Sequence, residues 1–260
     1  MDVRRFQGTL RNMQRKNRLL AIKELARFAK LDIGRQLRKG IPEIILAEGK
    51  EPEDVAKIVR VMVEKTGRAI VSRADEACLK QVRSKTRSGW RINYSSKSKI
   101  LVVKSRSFTI KPSGGRVGIL TAGTSDIPVA TEAETVAREM GSETRAYYDV
   151  GVAGLHRLFE PLKRLLIWDS DVILVVAGRE GALPTVVAGI VDVPVVGVPT
   201  SKSYGFGEKG LAALAAMLQS CSLGMSVVNI DGGVGAGAVA AMIANRAGQA
   251  RKHGTDRGPG

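Results

Sequence analysis

The sequence predicts an α/β protein: a doubly wound parallel sheet follows a smaller, basic domain of mixed α/β structure. Three observations predict this. From residue 117 onward, apolar strand segments alternate with helical segments. Those strands are uninterrupted apolar runs, which is typical of a parallel sheet covered on both faces. The charge also changes along the chain, because residues 1–116 hold 29 Lys and Arg against 11 Asp and Glu, whereas residues 117–260 hold 12 against 14.

The first domain is predicted over residues 1–115. Residues 9–31 form a basic amphipathic pattern that predicts a helix over the first 30 residues or so, with Leu19, Ile22, Leu25, Ala26 and Ala29 at helical spacing. Strands are predicted at 42–48, 68–73 and 99–104, and a helix at 51–65 that begins with Pro52 and acidic residues. The Pro/Gly/Ser stretch at 111–116 indicates the domain boundary.

The second domain is predicted over residues 116–250 and is followed by a tail at 251–260. Five apolar strands with crossover helices predict an open sheet, and in such sheets the ligand lies beyond the carboxyl ends of the strands. The loops expected there are rich in glycine and small hydroxyl residues, which let a backbone approach a ligand closely and favour a nucleotide-like anion. They are TAGTSD (121–126), GVAGLHR (151–157), AGREGALP (177–184), TSKSYGFG (200–207) and DGGVGAG (231–237).

Several polar residues in these loops are candidates for binding or catalysis. Thr124, Ser125 and Asp126 precede a helix, so either they bind phosphate and ribose, or Ser125 or Asp126 is an ordinary N-cap. His156 and Arg157 form a pair at the start of another helix. GGVGAG lacks the following strand and acidic residue of a dinucleotide fingerprint, and a close-packed turn is the favoured interpretation.

Glu180 is flanked by glycines and is either solvent-exposed or an acid/base group of the site. The loop position at a strand end favours the second interpretation. Cys221, in LQSCSLGMSVVNID, is either a small buried residue or a nucleophile. It follows a helix C-terminus, where the helix dipole disfavours a thiolate, so activation has to come from His156, Lys202 or a cationic substrate.

The composition gives no sign of a membrane protein, a disulfide-bonded secreted protein or a zinc protein. No apolar run is long enough to span a membrane, and the start of the chain lacks the apolar middle of a signal peptide. Two cysteines provide no disulfide framework, so a cytoplasmic location is expected. The two histidines and two cysteines are far apart and show no zinc spacing, so no metal ligands are assigned.

Four separated segments between residues 32 and 248 carry a family resemblance. LDIGRQLRKGIPEIILAEGK, YDVGVAGLHRL, AGREGAL and LQSCSLGMSVVNID resemble the pyridinium-3,5-biscarboxylic acid mononucleotide synthases, which begin the synthesis of the nickel-pincer nucleotide cofactor. GTSDIPVATEAETVAREMG and the segments that follow it resemble aminoimidazole ribonucleotide carboxylase, which implies a flavodoxin-like second domain. The first resemblance implies carboxylation of nicotinic acid adenine dinucleotide with CO₂ or bicarbonate and release of AMP. It also suggests a homo-octamer, and cleavage of a phosphoanhydride makes Mg²⁺ an expected cofactor.

The resemblance also implies roles for individual residues. The nucleophilic cysteine corresponds to Cys221, which adds to the pyridinium ring as a transient thioether, and the acidic residue of the third loop corresponds to Glu180. The His-Arg pair corresponds to His156 and Arg157. The expected substrate-binding set contains Thr124, Ser125, Asp126, Arg157, Lys202 and Asp231, with His156 counted among the catalytic residues.

Two other functions remain open at this point. The first is the purine carboxylase or mutase itself, although its chemistry does not need Cys221 or an additional N-terminal domain. The second is nucleic-acid binding through the basic first domain. Few aromatic residues are interleaved with its Lys and Arg, so recognition by base stacking is not favoured.

Overall fold

The computed structural model describes residues 21–25, 29–203 and 205–255, and the chain divides into two compact units, 1–109 and 110–260. The division falls a few residues before the boundary at 115/116 that composition suggests. The last helix of the second unit continues to Thr255, so the first half of the expected tail is helical. Among the described residues, no helix is both long and apolar enough to cross a membrane.

The first unit is a mixed α/β domain. Within its described residues, one sheet contains four strands in the order β3-β4-β6-β5, in which β3 and β4 are parallel and the other pairs antiparallel. Its elements are β1 (Ile22–Leu25), β2 (Ala29–Asp32), α1 (Arg35–Lys39), β3 (Ile44–Leu46), α2 (Pro52–Thr66), β4 (Arg68–Ser72), α3 (Glu76–Lys85), β5 (Arg91–Ser95) and β6 (Ile100–Lys104).

Helix α2 shows why this sequence folds locally as predicted. Pro52 occupies the first turn, where its missing N–H costs nothing, and Glu53 and Asp54 complement the helix dipole. Gly67 ends the helix at φ 83°, a left-handed conformation that glycine adopts without strain. The apolar face of α2 is buried in the core of the unit, so packing adds to these local signals.

The helix predicted over residues 9–31 is wrong for the described part of that segment. β1 and β2 form an antiparallel hairpin in which Leu25 pairs with Ala29. Leu31 is buried in the core and Leu25 packs against it. Tertiary burial therefore outweighs the helical spacing of the apolar residues. Residues 1–20 and 26–28 lie outside the described residues, as does most of the predicted helix.

The second unit has the predicted doubly wound architecture. Its described residues contain a five-stranded parallel sheet in the order β11-β10-β9-β7-β8, which is a flavodoxin-like order. The elements are β7 (Arg116–Thr121), α4 (Ile127–Glu139), β8 (Glu143–Tyr147), α5 (His156–Ile167), β9 (Val172–Ala177), α6 (Ala182–Ala188), β10 (Val195–Pro199), α7 (Leu211–Leu218), β11 (Met225–Val227) and α8 (Gly233–Thr255).

Helices cover both faces of this sheet, as continuous apolar strands require. Every residue of β9 and β10 is buried. One core joins the strands to α4 and α8, and the other joins them to α5, α6 and α7. Because the sheet is packed on both faces, the polar chemistry of this unit is confined to the ends of the strands.

Helices α4 and α8 approach each other closely because α8 carries a glycine at the contact. A Cβ at Gly237 would meet the backbone of Ala133 with no room to move, whereas a Cβ at Gly235, on the same helix, would meet nothing within 4 Å. We expect Gly237→Ala to lower the free energy of unfolding by about 1–3 kcal/mol through overpacking. Gly235→Ala is expected to be neutral or to stabilise by up to about 1 kcal/mol. Urea denaturation of both variants measures the difference, and equal stability would contradict the close packing.

Candidate active site

A cleft of about 490 Å³ opens at the carboxyl ends of the parallel strands. Its walls are the loops after β7, β8 and β9. β7 pairs with β8 on one side and with β9 on the other, so the connections leave in opposite directions at this point and a crevice forms. The lining residues are Ala122, Gly123, Ser125, Asp126, Asp149, Gly151, Val152, Ala153, Arg157, Ala177, Gly178, Arg179, Glu180, Ala182, Leu183 and Lys202.

Asp126 is a buried carboxylate at the floor of the cleft. One oxygen, Oδ1, accepts a hydrogen bond from Thr200 Oγ1 at 2.7 Å, and Oδ2 accepts one from the Gly123 N–H at 2.9 Å. Burial raises the pKa of Asp126, and the hydrogen bonds from Thr200 and Gly123 oppose that shift. The charge of Asp231 raises this pKa further. Asp126 is therefore fixed in position by its donors and shielded from water.

Glycine makes room for this arrangement at the end of β9. A Cβ on Gly178 would lie 2.7 Å from Thr200 Oγ1 and 3.5 Å from Asp126 Oδ1. A side chain at residue 178 would consequently break the Thr200–Asp126 contact. Thr200 is fully buried. The Asp126 carboxylate thus links the loop after β7 to the loops after β9 and β10.

Arg157 extends into the cleft from the first turn of α5. Its Nη1 donates to Asp149 Oδ2 at 2.7 Å, and both side chains are partly exposed. Asp149 follows β8 with φ 59°, an uncommon conformation for a residue other than glycine. The guanidinium is a suitable partner for a phosphate or carboxylate.

Glu180 lies on a tight turn between β9 and α6. Arg179 has φ 53° and Gly181 φ 65°, and the Gly181 N–H donates to the Gly178 carbonyl at 2.9 Å. Arg179 and Glu180 are exposed and line the cleft, and Lys202 reaches it from the loop after β10. The cleft therefore contains charged groups of both signs, which suits a ligand with anionic groups and a site for proton transfer.

Three of the residues expected at the site lie outside this lining. Thr124 begins a 3₁₀ turn (Thr124–Asp126) and is exposed. His156 is the exposed first residue of α5, beside Arg157. Asp231 accepts a hydrogen bond at Oδ1 from the Ser201 N–H at 2.9 Å, and its own N–H donates to the Pro199 carbonyl. Asp231 thus holds the loop after β10 in place.

Cys221 also lies away from the cleft of its own chain. It sits in the loop between α7 and β11, where Ser220 and Ser222 contact Thr185 of α6. Ala182 and Leu183, at the beginning of α6, line the cleft. A Cβ at Gly189, just after α6, would lie 3.6 Å from Ser222 Oγ, so the loop lies toward the end of α6 that is away from the cleft. Cys221 is therefore not among the residues that line the cleft with Glu180.

The environments of the two cysteines nevertheless differ. Cys78 is buried in the first unit, and burial together with the Asp75 carboxylate raises its pKa to about 11, so it stays a thiol at neutral pH. Cys221 is exposed on the surface of the second unit. An exposed thiol can meet a ligand, so Cys221 is the better candidate for a nucleophile.

A protein-bound metal has no evident position here. Among the described residues, no group of three or more His, Cys, Asp and Glu side chains is placed to hold a metal ion. Asp126 is committed to its hydrogen-bond donors. The described carboxylates therefore provide no cluster of three ligands for a metal ion, although Mg²⁺ is often held by only one or two carboxylates together with substrate phosphates.

Sequence reasoning missed three polar residues at the cleft. Asp149 and Arg179 line it, and Thr200 is the hydroxyl donor to Asp126. Thr200 lies in the quoted loop TSKSYGFG and Arg179 in AGREGALP, so their position after predicted strands was an available signal. Asp149 stands at the end of an expected strand, two residues before the loop GVAGLHR, so the loop pattern did not include it.

A buried flavodoxin-like sheet with a charged, glycine-lined cleft at its switch point is the arrangement in which α/β enzymes usually place their ligand sites. Comparison with known proteins gives the particular family. Residues 116–254 match the AIR carboxylase family, and residues 22–106 match the LarB/PurE-like N-terminal domain. The chain belongs to the AIR carboxylase family, and its function is of the carboxylase type.

Individual relatives match different fractions of the chain. An uncharacterized protein of Methanocaldococcus jannaschii is 44% identical over 238 residues, 91% of each chain. An N5-carboxyaminoimidazole ribonucleotide mutase of Thermotoga maritima is 33% identical over 137 residues, 51% of this chain and 70% of its own. A mutase of the same name in M. jannaschii is 31% identical over 127 residues, 48% of this chain and 76% of its own.

Proposed function

We propose that this protein converts nicotinic acid adenine dinucleotide, CO₂ or bicarbonate, and water into pyridinium-3,5-biscarboxylic acid mononucleotide and AMP. This is the first reaction of nickel-pincer nucleotide synthesis. The observation that carries the proposal is the LarB/PurE-like domain over residues 22–106, joined to a carboxylase domain that has an exposed Cys221. The mutase relatives correspond to about half of the chain.

The charges of the cleft agree with this substrate. The dinucleotide carries two phosphates and a ring carboxylate, for which Arg157, Arg179 and Lys202 are suitable partners. Glu180 is the proposed base at the reacting carbon. Mg²⁺ remains an expectation from the phosphoanhydride chemistry, and any such ion would be bound chiefly by substrate phosphates.

The proposed reaction requires covalent help because a pyridinium ring is electron-poor and does not attack CO₂. Addition of the Cys221 thiolate to the ring removes its positive charge and gives an enamine, whose carbon 5 forms a bond to CO₂. Glu180 then takes the proton from carbon 5, the electrons of that C–H bond restore the ring, and the thiolate departs. Water separately cleaves the phosphoanhydride and releases AMP.

The proposed acting thiol comes from a second copy of the chain, because Cys221 is not among the residues that line the cleft of its own chain. The loop that carries Cys221 is apolar at the surface, since Leu218 is 67% and Leu223 90% exposed, and Ile190 beside it is 52% exposed. Exposed apolar patches of this kind mark protein interfaces. We therefore propose a homo-oligomer, with an octamer as the expected size, in which the Cys221 loop of one copy completes the cleft of another.

Incubation with labelled bicarbonate tests the proposed function. We expect label to enter a dicarboxylated pyridinium mononucleotide, with one AMP released per product, when nicotinic acid adenine dinucleotide is the substrate. Chromatography with mass spectrometry identifies both products. Label incorporated with aminoimidazole ribonucleotide and not with the dinucleotide would contradict the proposal.

The second candidate function is the purine reaction of the mutase relatives, and the shared carboxylase domain favours it. Two incubations decide between the functions: aminoimidazole ribonucleotide with labelled bicarbonate, and its unlabelled N5-carboxy form alone, with the carboxylated product of each identified by mass spectrometry. A nucleic-acid function rests on the positive charge of the first part of the chain alone. Binding to arbitrary duplex with a steep salt dependence would revive it.

A further inference from the structure

We propose that Asp149 is a positioning residue that orients Arg157 toward the anionic groups of the ligand. This inference rests on the cleft being a ligand site, as the proposed function requires. Asp149 Oδ2 accepts a hydrogen bond from Arg157 Nη1 at 2.7 Å, and both residues line the cleft. A carboxylate that occupies one N–H of a guanidinium leaves its other N–H groups for a ligand.

The backbone at Asp149 is fixed before any ligand arrives. The Asp149 N–H donates to Thr121 Oγ1 at 3.1 Å, and the two following amides donate to the Thr121 and Ala122 carbonyls at 2.9 Å each. Thr121 is fully buried at the end of β7. The left-handed conformation of Asp149, φ 59°, is thus held by the core of the sheet. Uncommon backbone conformations persist where the surrounding structure fixes them and are frequent at ligand sites.

The opposite side of Arg157 is bounded by a glycine. A Cβ on Gly154 would lie 2.7 Å from Arg157 Nε and 3.2 Å from Nη2. Gly154 therefore leaves the space in which the guanidinium lies, while Asp149 holds one of its nitrogens. These two contacts fix the direction of a long side chain that would otherwise have several rotamers.

Two substitutions separate the acceptor role of Asp149 from its charge and its backbone. Asp149→Gly removes the carboxylate and tolerates the left-handed conformation without strain. Asp149→Asn keeps an oxygen acceptor, removes the charge and is also tolerated there. A matched control is Glu160→Gln, because Glu160 accepts from Arg164 at 2.9 Å on the exposed side of the same helix, away from the cleft lining.

The experiment measures binding of pyrophosphate by calorimetry to the full-length protein, together with kinetics on nicotinic acid adenine dinucleotide. We expect Asp149→Gly to weaken pyrophosphate binding by about tenfold. Without the carboxylate, the Arg157 guanidinium is no longer oriented, and one charge-assisted hydrogen bond to the ligand is lost. KM for the dinucleotide should rise by a similar factor with a smaller change in kcat. Asp149→Asn should bind within about threefold of wild type, and Glu160→Gln should not differ from it.

A double-mutant cycle shows whether Asp149 acts through Arg157. In an Arg157→Ala background, adding Asp149→Gly should not weaken pyrophosphate binding further. Additive losses would overturn the proposal, as would tighter binding by Asp149→Gly alone, which is the result expected if the carboxylate only repels anions. Absence of pyrophosphate binding to the wild type would also overturn it. The expected binding results without carboxylation would instead reject the proposed function and leave the positioning role intact.

Discussion

Replacing Cys221 with serine is expected to reduce carboxylation of nicotinic acid adenine dinucleotide by about 10³-fold or more, the scale of losing an essential nucleophile. A serine hydroxyl is not ionised at neutral pH and cannot add to the ring and leave again as a thiolate does. Intact-protein mass spectrometry should show a covalent adduct on the wild type with the dinucleotide and none on Cys221→Ser. A fully active serine variant would reject the mechanism.

The matched control for this result is the other cysteine. Cys78 is buried with a pKa raised to about 11, so Cys78→Ala should still form the adduct. Any loss of stability from Cys78→Ala would reflect the small cavity it leaves in the first core. If the adduct disappeared with Cys78→Ala and persisted with Cys221→Ser, the reacting cysteine would lie in the first unit, and the proposed mechanism would be rejected.

Mixing two inactive variants tests whether the thiol comes from a second copy. Cys221→Ser provides an intact cleft, and Glu180→Gln provides an intact thiol. If each site combines two chains, oligomers assembled from equal amounts should recover about a quarter of the wild-type activity, because half of the clefts and half of the thiols are intact. If the site lies within one chain, the mixture stays inactive, and the Cys221 loop would then have to move along α6.

The sequence predicted the second unit well because its signals are local and repeated. Apolar runs such as VILVV and the helices between them alternate without interruption, and each loop that lines the cleft was identified from its glycines and hydroxyls. The N-terminal segment failed for a tertiary reason. Leu25 and Leu31 lie in a segment whose apolar spacing predicts a helix. In the structure they belong to a hairpin, because that conformation packs both side chains in the core of the first unit.

Site residues were harder to predict than the fold, because the position of a residue in the chain does not say whether its side chain lines the cleft. Ser125, Asp126, Arg157, Glu180 and Lys202 follow strands and line the cleft, and their roles stay predictions. Cys221 precedes a strand, so in a parallel sheet it lies toward the amino edge, and the pattern of residues alone does not say whether another copy covers that edge. Asp149 has a left-handed backbone conformation, φ 59°, which no spacing of residue types encodes.

Glu180→Gln is expected to lower kcat by about 10²–10⁴-fold while leaving the first covalent step intact. In the proposed order of steps, the thiolate adds before the base removes the carbon 5 proton, so an amide at residue 180 blocks only the later step. The covalent adduct should therefore accumulate on Glu180→Gln to a higher level than on the wild type, and its mass should include the added CO₂. Rapid-quench mass spectrometry measures both quantities.

The choice of Glu180 as base depends on its place in the cleft rather than on its charge alone. Glu180 lines the cleft on a turn held by Gly181, whose Cβ would lie 2.7 Å from the Ala213 carbonyl, so the backbone there is tightly packed. Asp192 is an exposed carboxylate in the loop after α6 and does not line the cleft, so Asp192→Asn is the matched control and should retain wild-type kcat.

If Glu180→Gln forms no adduct at all, Glu180 acts before or during thiolate addition, and the proton at carbon 5 must be removed by another group. Asp126 is a poor replacement, because its two oxygens accept hydrogen bonds from Thr200 and Gly123 at the buried floor of the cleft.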